Sequence, residues 1–349
     1  MKILLMGLNR HPGLLGGGQT FVRNIKKMFP KESYFISFMV EERKYFEIND
    51  NIEVNKESFK FKILRKFLGI KVILKHILNN LEYDICILNS PKELRYMRKD
   101  SKKILVQHMN YDIYINSHFK NNKKLIEKAK KELDYFVFLS EYDKERFIKE
   151  ISFPREKSIA IRHTCELEIL NKAKEKNKNL IMICRLDNKQ KRIDLAIKAM
   201  KKLEDFNLNI YGNGMDKDFL EKVIEESKLT NVFLYEGTKQ VKEKLDENSI
   251  FIMTSDTEGY GITNIEAMRR GLPIILRNTF DAAPDIVENN GILLDKEWDE
   301  DKFVRAVNKI YANYEYYSKN SIKMGKRHDF EVIKKEWSKL FKNCINNYN

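Results

Sequence analysis

Two glutamates, Glu258 and Glu266, bracket the run Glu258-Gly259-Tyr260-Gly261-Ile262-Thr263-Asn264-Ile265-Glu266. The apolar segment Ile250 to Thr254 before it reads as a strand. Ala267-Met268-Arg269-Arg270 continue a helix that stops at Gly271, and Pro273 opens another strand. A strand, a tight turn and a helix start aim free backbone amides at an anion. Gly259 and Gly261 let the backbone come close to a ligand. A carboxylate repels phosphate but accepts hydrogen bonds from a sugar diol. Amides for phosphate beside carboxylates for a diol suit a nucleotide-sugar. An ordinary helix start with two solvated acids has the same spacing, so the reading needs support from the rest of the chain.

Part of that support is cationic. Arg185 follows the apolar strand Leu180–Cys184, and Lys191 stands before a helix expected over Arg192–Leu203. A strand-end Arg and a helix-entry Lys suit a departing nucleoside diphosphate, whose negative charge grows as its glycosidic bond breaks. They also remove the need for a metal. The two Asp-x-Asp matches, Asp216–Asp218 and Asp299–Asp301, open helices and read as N-terminal charges. No His/Cys ligand cluster is present, and no cofactor or metal is expected. The four cysteines, Cys86, Cys165, Cys184 and Cys344, are far apart and read as reduced.

The elements that must position these groups alternate. Lys2 to Leu8 reads as a strand. A Gly-rich loop through Gly16-Gly17-Gly18 leads into a helix from about Gln19 to Met28, as at the opening of a nucleotide-binding βα unit. Strands are expected at Tyr34–Val40, Asp84–Leu88, Ile104–Gln107, Tyr135–Leu139 and Ser158–Arg162. Helices are expected near Asn122–Leu133 and Glu141–Ile151. His108 stands at the carboxyl end of a strand, the edge that faces the ligand crevice in open α/β sheets. The polar run His163–Lys178 reads as a linker. Alternation then restarts, with a turn at Gly212-Asn213-Gly214 and a final amphipathic helix over Phe330–Ile345. The fold class is α/β, with two parallel sheets.

The chain has 349 residues, enough for two domains, and a net charge of +14. Residues 1–165 hold 33 Lys/Arg against 20 Asp/Glu, while residues 166–349 hold 32 against 31. One half carries nearly all the excess, which argues for an anionic partner there. Residues 59–81 contain six Lys/Arg and no acid, with Ile63, Leu64, Phe67, Ile70, Leu74, Ile77, Leu78 and Leu81 on one helical face. This reads either as an interfacial membrane helix or as a domain helix whose apolar face is core. No nucleic-acid motif accompanies the charge, so an anionic membrane surface is the expected partner. No signal peptide or membrane span is visible. The expected location is cytoplasmic, peripheral on the inner face of the membrane.

Together, Arg185-Leu186 with Lys191-Arg192-Ile193-Asp194, Gly212-Asn213-Gly214, Ser255, Glu258-Gly259-Tyr260-Gly261, Glu266-Ala267-Met268 and Gly271-Leu272-Pro273 resemble family-4 retaining glycosyltransferases. Gly16–Gly18 match that family's N-terminal loop, so the resemblance spans essentially the whole chain. It implies a GT-B fold, two Rossmann-like domains facing across a cleft. Residues 1–165 would bind the acceptor and 166–329 the nucleotide-sugar, with the helix 330–349 packing back on the first domain. It implies that Arg185 and Lys191 bind the diphosphate and Glu266 the ribose. Glu258, Gly259 and the stretch Tyr260, Gly261, Ile262 and Thr263 would hold the donor sugar and phosphates. Gly17, Gly18 and Gly212 would border the donor, and His108 would lie near the reacting sugar. The chain departs from the family at Arg162-His163-Thr164-Cys165, where Asn-Gly is common, and at Cys184, where Gly is common.

The resemblance further implies transfer of a sugar, most often from UDP, to a glycan or lipid-linked hydroxyl with retained configuration. The leaving phosphate would take the acceptor proton in a same-face attack. The competing expectations are a nucleotide-sugar epimerase on the same fold and a non-catalytic subunit of a transferase pair. The former would work on donor alone. The latter would have no chemical need for Arg185, Lys191, Glu258 and Glu266 together.

Overall fold

A computed structural model of the chain describes residues 1–8, 17–39, 44–48 and 70–346. They divide into two units. One comprises Met1–Thr164 with Phe330–Asn349, the other Cys165–Asp329.

The described residues of the first unit form seven strands: β1 (Ile3–Leu8), β2 (Ser33–Met39), β3 (Lys44–Ile48), β4 (Ile85–Leu88), β5 (Lys102–Val106), β6 (Tyr135–Phe138) and β7 (Ser158–Ala160). Their order is β3-β2-β1-β4-β5-β6-β7, parallel throughout except for β3, which pairs antiparallel with β2 at the edge. Successive side chains of a strand point to opposite faces, and a parallel sheet buries both. Accordingly Leu4, Met6, Cys86, Leu88, Leu105, Phe136 and Phe138 enter one core. Their alternates Ile3, Leu5, Ile85, Ile87, Ile104, Val106 and Val137 enter another. The helix Gly17–Met28 covers the second face with Phe21, Val22 and Ile25. The last helix, Phe330–Asn346, covers it with Ile333, Trp337, Leu340, Phe341 and Cys344. That helix therefore closes the core of the first unit although it follows the second in sequence.

Of the basic stretch 59–81, residues 59–69 lie outside the described part, as does Gly16 of the Gly-rich loop. Ile70–Asn80 is a helix. Leu78 is fully buried in it, whereas Val72, Lys75 and His76 are exposed. No helix among the described residues is long and apolar enough to cross a membrane.

The second unit carries six parallel strands: β8 (Asn179–Ile183), β9 (Asn207–Tyr211), β10 (Val232–Tyr235), β11 (Ile250–Met253), β12 (Ile274–Arg277) and β13 (Gly291–Leu294), in the order β10-β9-β8-β11-β12-β13. Sequence order reverses between β8 and β11. Such a switch point leaves a crevice outside the carboxyl ends of the two strands.

Several elements differ from expectation; β3 adds an antiparallel edge strand to a sheet expected to be parallel. In place of one helix over Arg192–Leu203 there is a turn, Asn188–Lys191, then a helix, Ile193–Ala199, and a 3-10 turn, Met200–Lys202. Arg192 breaks the run by adopting a left-handed conformation, φ 47° and ψ 45°. Lys191 thus ends a helical turn and does not precede the helix directly. A helix over Tyr314–Gly325 was not expected, and its packing face sets Ser318 and Ser321 among Tyr314, Tyr317, Ile322 and Met324. Ser318 Oγ donates to Gly271 O at 2.6 Å and Ser321 Oγ to Leu272 O at 2.7 Å. Those hydroxyls tie it to the end of the helix Ile262–Arg269.

Candidate active site

The β8/β11 switch point gathers Arg185, Lys191 and Glu258, while Glu266 lies on the helix Ile262–Arg269 that follows the same turn. Arg185 leaves the end of β8, and Lys191 lies on the turn that follows. β11 runs into Thr254, Ser255 and Glu258. Hydrogen bonds tie the two segments: Asp256 N donates to Gln190 O at 2.8 Å, and the Thr254 hydroxyl Oγ1 to Lys191 O at 2.9 Å. Gln190 Nε2 donates to Thr257 O at 3.0 Å, while its Oε1 accepts from Arg185 Nη2 at 2.7 Å. Gln190 thereby holds both the exposed Arg185 and the turn bearing Glu258.

Lys191 Nζ donates to Glu258 Oε1, and Ser255 Oγ reaches the same oxygen at 2.8 Å. The pair is largely buried, with 13% and 10% of the two side chains exposed. Asp256 stands just outside. It takes Arg277 Nη1 at 2.5 Å, with Arg192 at 3.6 Å, and Arg277 also donates to Thr254 O at 2.9 Å. The strand-end loop is fixed from both sides before any ligand arrives.

Gly261 caps the helix Ile262–Arg269 at φ 79° and offers no side-chain cap. The amides of Ile262 and Thr263 have no intrahelical acceptor, as at any helix start. Tyr260 points away from the crevice. It is 2% exposed, donates to Asp285 Oδ2 at 2.9 Å and lies 3.4 Å from His328 Nε2. What Tyr260 presents to the crevice is therefore backbone, as is the case for Gly259. Asn264 Nδ2 donates to Tyr260 O at 3.1 Å.

Glu266 is half-buried on the same helix. Among the described residues its carboxylate accepts no hydrogen bond, and burial alone pushes its pKa up to about 7. A half-buried carboxylate without donors is poised for hydroxyls from a ligand. Gly212 has a different environment. A Cβ there would lie 2.1 Å from Cys184 O, so glycine is required for the close approach of β9 to β8.

In the first unit, Gly17 and Gly18 open the helix after β1. His108 follows β5, and its Nε2 lies 2.6 Å from Oδ1 of Asn89, at the end of β4. Asn89 Nδ2 donates to Met6 O, which turns Oδ1 toward the ring and places the proton of His108 on Nε2. His163 stacks on His108 with ring centroids 6.1 Å apart and planes at 9°. Burial drives the His163 pKa down to about 4, so this ring is neutral at ordinary pH. Asn89 and Gln190 are not among the residues singled out from sequence. Asn89 directly follows β4, a position visible in sequence, whereas Gln190 lies in the turn Asn188–Lys191 and carries no such signal.

Among the described residues, no group of three or more His, Cys, Asp or Glu could hold a metal ion. Asp216 and Asp299 stand at the N-caps of the helices Lys217–Glu226 and Glu300–Ala312.

The family model for glycosyl transferases group 1 matches residues 167–327, nearly all of the second unit. An uncharacterized glycosyltransferase of Haemophilus influenzae is 25% identical over 93% of this chain and 96% of its own length. The poly(ribitol-phosphate) alpha-N-acetylglucosaminyltransferase of Staphylococcus aureus is 26% identical over 82% of this chain, which spans only 60% of that relative. Among solved structures, Anabaena Alr3699/HepE in complex with UDP superposes with a TM-score of 0.76 at 15% identity, covering 98% of this chain and 100% of its own. The second unit is thus a glycosyl transferases group 1 domain, and the chain is a glycosyltransferase built on the GT-B fold.

Proposed function

We propose that this glycosyltransferase is a family-4 enzyme that moves a sugar, with retained configuration, from a UDP-sugar to a hydroxyl of a cell-envelope glycan. The observation that carries the reading is the β8/β11 switch point. A largely buried Lys191–Glu258 pair stands at the strand edge, and the turn after it leads into the open helix start at Ile262, on whose helix Glu266 accepts no hydrogen bond among the described residues. The amides and Lys191 suit a diphosphate, Glu266 a ribose diol, and Glu258 the hydroxyls of a donor sugar. UDP is favoured by the nucleotide held by the Anabaena neighbour. An envelope polymer as acceptor is favoured by the name of the Staphylococcus aureus relative.

As the glycosidic bond breaks, charge grows on the leaving diphosphate. Lys191 and Arg185 stabilise that charge, which makes a divalent metal unnecessary. The same-face mechanism needs no enzyme nucleophile, so Glu258 acts as a sugar ligand. The excess positive charge of residues 1–165 suits work beside an anionic lipid surface at the cytoplasmic face of the membrane.

A thermal-shift panel of nucleotide-sugars tests the donor assignment. UDP-sugars should raise the melting temperature, by an amount that grows with concentration. If no nucleotide-sugar shifts it, the donor site has been misassigned. Product released from donor alone, as an epimerised sugar, would point to the isomerase alternative.

A further inference from the structure

The first unit carries a concavity that donor chemistry does not use. It lies between the 3-10 helix Pro91–Tyr96, the segment Ile115–Lys120 and the helix Lys123–Glu132, and has a volume of about 430 Å³. Pro91 and Phe119 give it an apolar floor. Lys92, Arg95, Lys120 and Lys128 line it, and no carboxylate does. Lys128 has Glu132 at 3.8 Å, but Arg95 and Lys120 have no carboxylate partner among the described residues. Lys92 Nζ donates only to a backbone carbonyl, Ser117 O, at 3.0 Å. Burial, then the charges of Lys120 and Arg95, pulls the Lys92 pKa below its ordinary value. Three cations are thus held together without a counter-ion, an arrangement that costs stability when nothing binds.

The backbone bears a second cost at the same place. Ile115–Phe119 forms a π-turn, closed by the Lys120 amide donating to Ile115 O. Lys120 itself is left-handed, at φ 53° and ψ 37°. Asn121 follows at φ 50°. Asn tolerates this region, whereas for Lys it costs roughly 1–2 kcal/mol. A glycine would serve the turn better, and lysine adds charge to the cavity. Strain and π-turns that persist in a fold cluster at functional sites.

We propose that this cavity binds a phosphate group of the acceptor, held by Lys92, Arg95 and Lys120, so that the acceptor is a phosphodiester polymer. The inference rests on the acceptor reading given above. Lys92 lies three residues after Asn89, the partner of His108, hence within roughly 11 Å along the chain. One polymer chain can therefore lie at both places. A concave site with an apolar floor selects a single phosphate, whereas a lipid surface engages protruding charges.

The test is titration with a short synthetic glycerol-phosphate oligomer, run beside inorganic phosphate and sedimentation with neutral and anionic vesicles. The proteins are wild type, Lys120→Gly and the triple variant Lys92→Gln/Arg95→Gln/Lys120→Gly. The triple variant should bind the oligomer at least tenfold more weakly and show a raised acceptor KM with kcat little changed. Its vesicle sedimentation should match wild type. Lys120→Gly should weaken oligomer binding while keeping or raising the melting temperature, since it removes strain together with charge. Oligomer affinity within twofold of wild type in the triple variant overturns the proposal. So does a loss of vesicle binding without a loss of oligomer binding, which would make the site a lipid contact. Wild-type protein that binds UDP-sugars but not the oligomer refutes this inference alone. Failure to bind any nucleotide-sugar refutes the donor reading instead.

Discussion

Lys191 donates to the same oxygen of Glu258, Oε1, that accepts the hydroxyl of Ser255. The cation assigned to the diphosphate is therefore already compensated, and donor binding must share it. The pair is about nine-tenths buried. In such a setting removal of one partner strands the other charge, a loss of about 3–5 kcal/mol in comparable cases, while joint removal costs much less. Lys191→Met and Glu258→Gln should each lower stability more than the double variant does. A double-mutant cycle by denaturant melts reads the coupling. Single costs that simply add would show that the two groups do not depend on each other. On activity, Lys191→Met should lose roughly 10²–10³ in kcat, as for deletion of one preorganised electrostatic donor.

Gly261 holds the turn that frees the helix amides. A Cβ there would stand 2.6 Å from Asn264 Nδ2 and 3.1 Å from Met253 Cε, and φ is 79°. Asn264 Nδ2 is already committed to Tyr260 O. Gly261→Ala should therefore cost about 1–3 kcal/mol and weaken nucleotide-sugar binding at the same time. A melting curve superimposable on wild type would mean that the turn can relax without cost.

The cationic reading of the leaving-group site makes a second demand. Transfer should survive EDTA, because Arg185 and Lys191 supply the positive charge. The Asp-x-Asp pairs start helices at Asp216 and Asp299 and bring no third ligand. Activity abolished by EDTA and restored by Mn²⁺ or Mg²⁺ would require a metal at the diphosphate.

Much of this was legible in the residues because two signals were strong. Alternating apolar strands and helices give parallel sheets almost by themselves. The turn Glu258–Glu266 also carries its own chemistry. What was not legible depended on partners distant in sequence. His108 was visible at a strand end, but its proton position is set by Asn89, whose own orientation is set by Met6 O. The helix Tyr314–Gly325 was not expected, and Ser318 and Ser321 help to pack it by hydrogen bonds to Gly271 and Leu272. The break at Arg192 is a left-handed conformation in a residue type that gives no hint of it. Gly212 makes room for Cys184 O, a packing demand that its loop sequence does not announce. A glycine in a loop does not say which backbone it must admit.

Glu266 yields the sharpest test of the donor pocket, because burial has raised its pKa to about 7 from the ordinary 4.5. The folded protein holds this proton over a pH range in which the unfolded chain has lost it. Stability contributed by the protonated group is present at low pH and falls as pH rises from about 4.5 to about 7. Glu266→Gln should accordingly stabilise the protein at pH 8, on the order of 2 kcal/mol after allowance for partial exposure, and not at pH 4. Binding has the opposite sign. A ribose diol donates to the ionised carboxylate, so affinity for a UDP-sugar, whose pyrophosphate does not titrate in this range, should rise roughly tenfold from pH 6 to pH 8. Glu266→Gln should bind more weakly at pH 8 and lose the pH dependence. Calorimetric titration at the two pH values decides the matter. A variant that binds as tightly as wild type, or keeps the same pH slope, would remove the ribose from Glu266 and with it the orientation of the donor in the crevice.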